Sequence, residues 1–146
     1  MIDYLDNPPA KSVADEHIQI STLDKEKVLE VARKVKPEYI VNVCNDQAIT
    51  TAAYVAEKLG LSYPYSYETS LNITDKERMK RIMRDNSIPT ACFIHVNEER
   101  EAERVNLNYP LVVKPSDTTG SKGVKKVTND KALSMAIKDA LNLSPS

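Results

Sequence analysis

The stretch VVKPSDTTGSKGV, residues 112–124, contains two of the three glycines of this chain, Gly120 and Gly123. Glycine lets the main chain approach an anion closely and turn successive N–H groups toward it, a geometry that recurs at phosphate sites. Lys114 precedes the loop and would add a positive charge beside those N–H groups. Hydroxyl groups that can donate to phosphate oxygens are supplied by Ser116, Thr119 and Ser121. The residue types therefore suggest a phosphate-binding loop.

The order of the residues excludes two common phosphate-binding motifs. A Walker A loop needs its lysine directly after the last glycine and a helix after that, whereas here Lys114 comes first and a strand pattern follows. The dinucleotide fingerprint GxGxxG is absent. The alternative to a phosphate site is a solvated hairpin in which the glycines only supply positive φ angles. The residues alone leave both interpretations open.

The elements around the loop predict a small α+β lobe. Apolar strand patterns at 109–115 and 123–127 flank the loop and favour an antiparallel hairpin. Residues 129–143 follow with the apolar spacing of an amphipathic helix. The loop is therefore expected to lie between two paired strands, with a helix behind it.

A helix and a strand are predicted upstream of the hairpin. In TDKERMKRIMRDNSIPT, Thr74 or Asp75 can cap a helix. Its inward-facing residues are expected to be Met79, Ile82 and Met83. The apolar run IPTACFI, 88–94, predicts a strand. Since both cysteines lie in apolar runs, we expect Cys44 and Cys92 to be reduced core residues.

The first half alternates strand and helix patterns, which predicts a Rossmann-like parallel sheet. The periodicity predicts strands at 1–5, 17–20 and 38–44 and helices at 25–35 and 46–60. Asn45 and Asp46 follow the third strand, at the edge where open α/β sheets bind ligands, so they are candidate substrate contacts. The alternative for Asp46 is to cap the next helix. Because residues 61–73 lose the periodicity, we divide the chain into 1–70 and 71–146.

Composition restricts the class of partner. The 146 residues are 41% apolar and 28% charged, with a net charge of -1, which indicates a globular protein without the basic surface that nucleic acid binding needs. No apolar run has the length of a membrane span. The N-terminal residues lack the basic and apolar segments of a signal peptide, so a cytoplasmic protein is expected.

Two segments in sequence order carry a family resemblance. YPLVVKPSDTTGSKGVKKV, 109–127, resembles the segment of ATP-grasp enzymes in which a strand lysine and a glycine-rich hairpin cover the nucleotide phosphates. TDKERMKRIMRDNSIPTACF, 74–93, is similar to the helix and strand that precede that segment in the family. The first half resembles the preATP-grasp domain found, for example, in the carbamoyl phosphate synthase large chain and biotin carboxylase.

The resemblance implies a nucleotide site. Carried over residue by residue, it implies that Lys76 and Lys114 contact ATP and that the phosphate loop consists of residues 116–123, with Ser116, Thr119, Gly120, Ser121 and Gly123 as its binding positions. It implies Mg²⁺ as well, held by Glu and Asn residues of a second lobe. No catalytic residue and no metal ligand is assigned within this chain.

The resemblance also implies missing parts. The sequence stops at LNLSPS, before the strands of the metal-binding lobe, and the family's first strand with its glycine turn is absent at the start. We therefore expect an internal fragment of a longer ligase, without ligase turnover on its own. A sheet that lacks its first strand exposes an edge, which favours a homodimer.

The expected function is part of an ATP-dependent ligase. Such an enzyme activates a carboxylate or bicarbonate as an acyl phosphate, which an amine or a similar nucleophile then attacks. The alternative is a non-catalytic module in which the first half mediates assembly and the second half binds a nucleotide.

Overall fold

The computed structural model describes residues 1–43, 45–118 and 120–144. The chain forms two compact units, Met1–Thr74 and Asp75–Ser146. Both units combine helices with short strands, so the predicted mixed α/β class is confirmed. The division lies after Thr74, whereas the loss of periodicity suggested a boundary after residue 70.

The first unit is mostly helical. Its strands and α-helices are β1 (Ile2–Asp3), β2 (Ile18–Gln19), α1 (Lys25–Val35), α2 (Ile49–Leu59) and α3 (Tyr67–Thr74), with 3₁₀ helices at Pro9–Val13 and Asp46–Ala48. The two strands pair in parallel, with Ile2 opposite Ile18. Helix α2 packs against both α1 and α3.

The ends of α1 and α2 follow from their sequences. The Asp24 side chain caps α1 by accepting a hydrogen bond from the Lys27 N–H. Gly60 ends α2 in the left-handed conformation, at φ 67°, as its position after Leu59 predicts. Leu29 and Ala32 of α1 pack with Val55 of α2 to form the core of the unit. Burial of these apolar side chains stabilises both helices.

Two predictions for the first unit are wrong or incomplete. Residues 38–43 form no strand, and Val41 is 78% exposed; a β-branched run becomes a strand only where a neighbouring strand or face packs against it. Helix α3 lies where no period was visible. Its buried Ser70 donates to the Tyr67 carbonyl and Thr74 donates to the Ser70 carbonyl, so polar side chains satisfy groups of this helix. The Rossmann-like sheet stays a prediction.

The second unit contains the predicted hairpin. Its elements are α4 (Lys76–Asp85), a 3₁₀ helix (Glu99–Arg104), β3 (Leu111–Val113), β4 (Lys125–Val127) and α5 (Asp130–Leu143). Strands β3 and β4 pair antiparallel, with Leu111 opposite Val127. The core consists of Val127 together with Leu133, Ala136 and Ile137 of α5. Helix α5 therefore packs behind the hairpin, as its apolar spacing predicts.

Three predictions for the second unit are corrected. Residues 88–94 form no strand, and Cys92 is exposed instead of buried. Ile82 is 40% exposed, and α4 buries none of its side chains. The periodicity of α4 identified the helix correctly but overestimated its burial. Cys44 lies outside the described residues.

The two left-handed helix ends generate a prediction. A side chain in this conformation costs about 1 kcal/mol, and no described residue lies within 4 Å of a Cβ added at Gly60. After the smaller entropy of unfolded alanine is allowed for, Gly60→Ala should lower the free energy of unfolding by about 0.5 kcal/mol. Lys36 ends α1 at φ 53° with a side chain present. Lys36→Gly should therefore raise the free energy of unfolding by about 0.5 kcal/mol, after the greater entropy of unfolded glycine is subtracted. Urea unfolding measures both changes in the free energy of unfolding. Two changes of the same sign would contradict the expected effect of the left-handed conformation.

Candidate functional site

The candidate site is a cavity of about 680 Å³ in the second unit. Its walls are mainly apolar and come from residues 91–96, from β3 and from α5, with Phe93, Leu111 and Ile137 among the lining side chains. Three of the residues predicted to bind nucleotide line it, namely Lys76, Lys114 and Ser116. A concave apolar cavity with a few polar groups has the character of a small-molecule site.

The predicted loop residues divide into two groups. Ser116 lines the cavity, whereas Gly120, Ser121 and Gly123 belong to the loop without lining it. Thr119 lies outside the described residues. Gly120, Ser121 and Gly123 all have positive φ angles, of 64°, 58° and 74°. Two of these three positions are glycine, which adopts this conformation without strain.

Lys76 binds the beginning of the loop. Its Nζ donates to the Ser116 carbonyl at 3.0 Å and to the Thr118 carbonyl at 2.5 Å. Its backbone N–H donates to the same Ser116 carbonyl at 3.3 Å. The start of α4 and the start of the loop are therefore joined through both main chain and side chain.

Lys114 has a different environment. It directly follows β3, and its side chain is exposed at the cavity. The side chain makes no hydrogen bond or ion pair with any other residue that the structure describes. An exposed ammonium without a protein partner is available to an anion at the cavity, and its flexible stem lets the charge reach it.

The end of α5 fixes the loop from another side. The Ser144 hydroxyl lies 2.8 Å from both carboxylate oxygens of Asp117. A Cβ on Gly123 would lie 2.9 Å from Leu143 Cδ1 and 3.0 Å from Pro115 Cγ, so the loop passes close to the helix there. The sequence does not reveal the contact between Asp117 and Ser144, because a hydrogen bond between residues 27 positions apart leaves no local pattern.

A polar network lies on the α4 side of the cavity. Glu77 pairs with Arg81 at 2.5 Å and with His95 Nε2 at 3.3 Å. Lys80 Nζ donates to Thr90 Oγ1 at 2.5 Å. Lys80 also lines the cavity.

Asn45 and Asp46 belong to the first unit and do not line this cavity. The Asn45 side chain accepts a hydrogen bond from the Ala48 N–H at 3.3 Å and so caps the 3₁₀ helix that begins at Asp46. The capping residue is therefore Asn45 instead of Asp46. A substrate contact by either residue stays a prediction.

Tyr109 marks the entry to β3. Its hydroxyl donates a hydrogen bond of 2.6 Å to Asp130 at the start of α5. This bond raises the pKa of Tyr109 to about 12, with desolvation and the negative charge of Asp130 adding to the effect. The bond therefore holds one end of the hairpin near α5 over the whole physiological pH range.

The described residues include neither a metal-binding cluster nor a helix that could span a membrane. Among residues 1–43, 45–118 and 120–144, no group of three or more His, Cys, Asp and Glu side chains could hold a metal ion. In the same part of the chain, no helix is long and apolar enough to cross a membrane.

Comparison with known sequences gives a match to one family model over part of the chain and matches to larger enzymes. The sequence model of the family described as D-ala D-ala ligase C-terminus matches residues 82–145. The formate-dependent phosphoribosylglycinamide formyltransferase of Prochlorococcus marinus is 26% identical over 98% of this chain and 37% of its own length. The carbamoyl phosphate synthase large chain of Thermotoga petrophila is 28% identical over 89% of this chain and 12% of its own length.

Solved structures agree with the sequence matches. An L-amino acid ligase from Bacillus licheniformis superposes with a TM-score of 0.73 at 25% identity, covering 93% of this chain and 33% of the ligase. The biotin carboxylase domain of Hydrogenobacter thermophilus 2-oxoglutarate carboxylase has the same fold, with a TM-score of 0.63 at 21% identity over 91% of this chain and 33% of that chain.

These matches confirm the resemblance to the ATP-grasp superfamily that the two sequence segments carry. The chain spans about a third of the length of the formyltransferase and about an eighth of that of the carbamoyl phosphate synthase chain.

The two loop glycines should differ in their response to alanine. Gly120→Ala introduces only the strain of a left-handed side chain, about 1 kcal/mol, because its Cβ would meet nothing within 4 Å. Gly123→Ala adds a close contact with the Pro115 ring and should lower the free energy of unfolding by about 2 kcal/mol in all. Urea unfolding of both variants tests this, and equal losses would contradict the close packing of Gly123 against Pro115.

The raised pKa of Tyr109 generates a pH prediction. Because the folded pKa is above that of the unfolded chain, the hydrogen bond to Asp130 stabilises the fold fully below about pH 10 and ceases to do so as the pH rises through about 12. NMR titration of ring-labelled tyrosine should show one phenol that ionises near pH 12. Asp130→Asn removes the negative charge and should lower that pKa toward its usual value; an unchanged pKa would exclude Asp130 as the cause.

Proposed function

We propose that this chain contributes the phosphate-binding part of an ATP-grasp ligase. The supporting observation is that Lys76, Lys114 and Ser116, which come from α4 and from the β3 side of the hairpin, line one cavity. In this proposal the ammonium of Lys114 attracts the phosphate oxygens of ATP. The loop positions Ser116, Thr119, Gly120, Ser121 and Gly123 supply N–H and hydroxyl donors around them.

The proposed reaction is the activation of a carboxylate or bicarbonate. A carboxylate oxygen attacks the γ-phosphorus of ATP, the bond to the β-phosphate oxygen breaks, and ADP leaves. An amine or a similar nucleophile then attacks the acyl carbon of the resulting acyl phosphate and releases phosphate. The solved biotin carboxylase domain is described with MgADP and bicarbonate bound, which fits a nucleotide and an anionic substrate in this fold.

The chain's own residues would act through charge and position. Negative charge is distributed over the phosphate oxygens during transfer, and positive groups held in place stabilise it. A loop over the phosphates would also exclude water from the reacting groups. The described residues lining the cavity offer Mg²⁺ no cluster of carboxylate oxygens, so no step is assigned to the metal here.

The proposal predicts a specific loss on removing one charge. Isothermal titration of the 146-residue chain with ATP should give binding that Lys114→Met weakens about tenfold, the usual effect of losing one charge-assisted contact. Lys126→Met is the matched control, since Lys126 is an exposed lysine on the neighbouring strand β4 that does not line the cavity. Equal binding by both variants would remove Lys114 from the site, and no binding by the unmodified chain would contradict the proposed function.

A further inference from the structure

Lys76 occupies an unfavourable place for a lysine unless something compensates its charge. It is the first residue of α4, where the helix dipole disfavours a cation. Its backbone N–H has no partner within the helix and donates to the Ser116 carbonyl. The Asp75 side chain caps the next two N–H groups, those of Glu77 and Arg78. The loop therefore supplies a hydrogen bond that α4 needs at its first residue.

The side chain of Lys76 binds the same part of the loop. Its half-buried ammonium donates to the carbonyls of Ser116 and Thr118, at 3.0 Å and 2.5 Å. Two carbonyls two residues apart are thus directed toward one cation. Carbonyl oxygens carry partial negative charge and would repel a phosphate, whereas the ammonium compensates that charge and fixes the orientation of both peptide groups.

We propose that Lys76 is a positioning residue, which holds the first part of the phosphate loop in place before nucleotide binds. This inference rests on the proposed function, because that proposal assigns phosphate binding to the loop. The contact between Lys76 and the loop does not depend on it. The sequence resemblance implied instead that Lys76 binds phosphate directly. The two roles differ in one respect, because a positioning residue affects the loop in the absence of nucleotide and a direct phosphate ligand does not.

Hydrogen exchange in the 146-residue chain without nucleotide separates these roles. Lys76→Met keeps a side chain of similar length but removes its donors, so the loop should open more often and the amide at position 76, whose N–H donates to the Ser116 carbonyl, should exchange about tenfold faster. The amides of α5 should not change. Lys76→Arg retains donors for two carbonyls and should restore slow exchange. A faster tryptic cut after the exposed Lys122 in Lys76→Met provides a second measurement on the same loop.

Lys80→Met is the matched control. Lys80 lies one turn further along α4, lines the same cavity and donates to Thr90 Oγ1 and to the Ala91 carbonyl, neither of which belongs to the loop. Its loss should leave the exchange of the amide at position 76 and the tryptic cut after Lys122 unchanged. Should Lys76→Met fail to fold, Lys76→Gln, which keeps one donor group and loses the charge, is compared in the same way and should show a smaller increase.

Three results would overturn the inference. They are unchanged exchange of the amide at position 76 without the ammonium, equal acceleration of that amide and of α5, and an effect of Lys80→Met as large as that of Lys76→Met. Because these measurements contain no nucleotide, they are independent of the ATP titration. Failure of the unmodified chain to bind ATP would count against the proposed function and would leave the positioning of the loop established or refuted by exchange alone.

Discussion

The contact between the Lys76 ammonium and two loop carbonyls joins α4 to the glycine-containing loop of the second unit. Ser116 accepts from both the main chain and the side chain of Lys76, so the start of α4 and the start of the loop cannot move independently while these bonds persist. Ser144 and Asp117 form a second connection, between the loop and the end of α5. The loop is thus held by residues far from it in sequence, in addition to the two strands that carry it.

The two lysines at the cavity have different environments. Lys76 is half-buried and directed at carbonyls, whereas Lys114 is exposed and has no partner among the described residues. An ammonium that already has acceptors must exchange them for a phosphate, while an unpartnered one exchanges only water. Family resemblance alone assigned both lysines the same role. Their contacts distinguish them.

Much of the second unit was predictable because its signals are local. The bounds of α5, the Asp75 cap and the antiparallel pairing of 111–113 with 125–127 follow from spacing and capping chemistry. The strands expected at 38–44 and 88–94 do not appear in their described residues. An apolar run forms a strand only beside a neighbouring strand or packing face, and the local sequence does not show whether one is present.

Part of the candidate site was likewise predictable from the sequence, and part depends on contacts between distant residues. Glycines, hydroxyls and Lys114 indicated the loop by type and order, whereas the role of Asp117 depends on a serine 27 residues away. The environment of Lys76 likewise depends on residues 40 and 42 positions distant. The residue types were sufficient to predict the loop, but not its contacts with Lys76 and Ser144.

The tight fit of Gly123 against Leu143 and Pro115 has a mechanical consequence. Gly123 lies where the loop leads back to β4, and the neighbouring side chains leave little space there. Any bending of the loop must therefore occur before this residue.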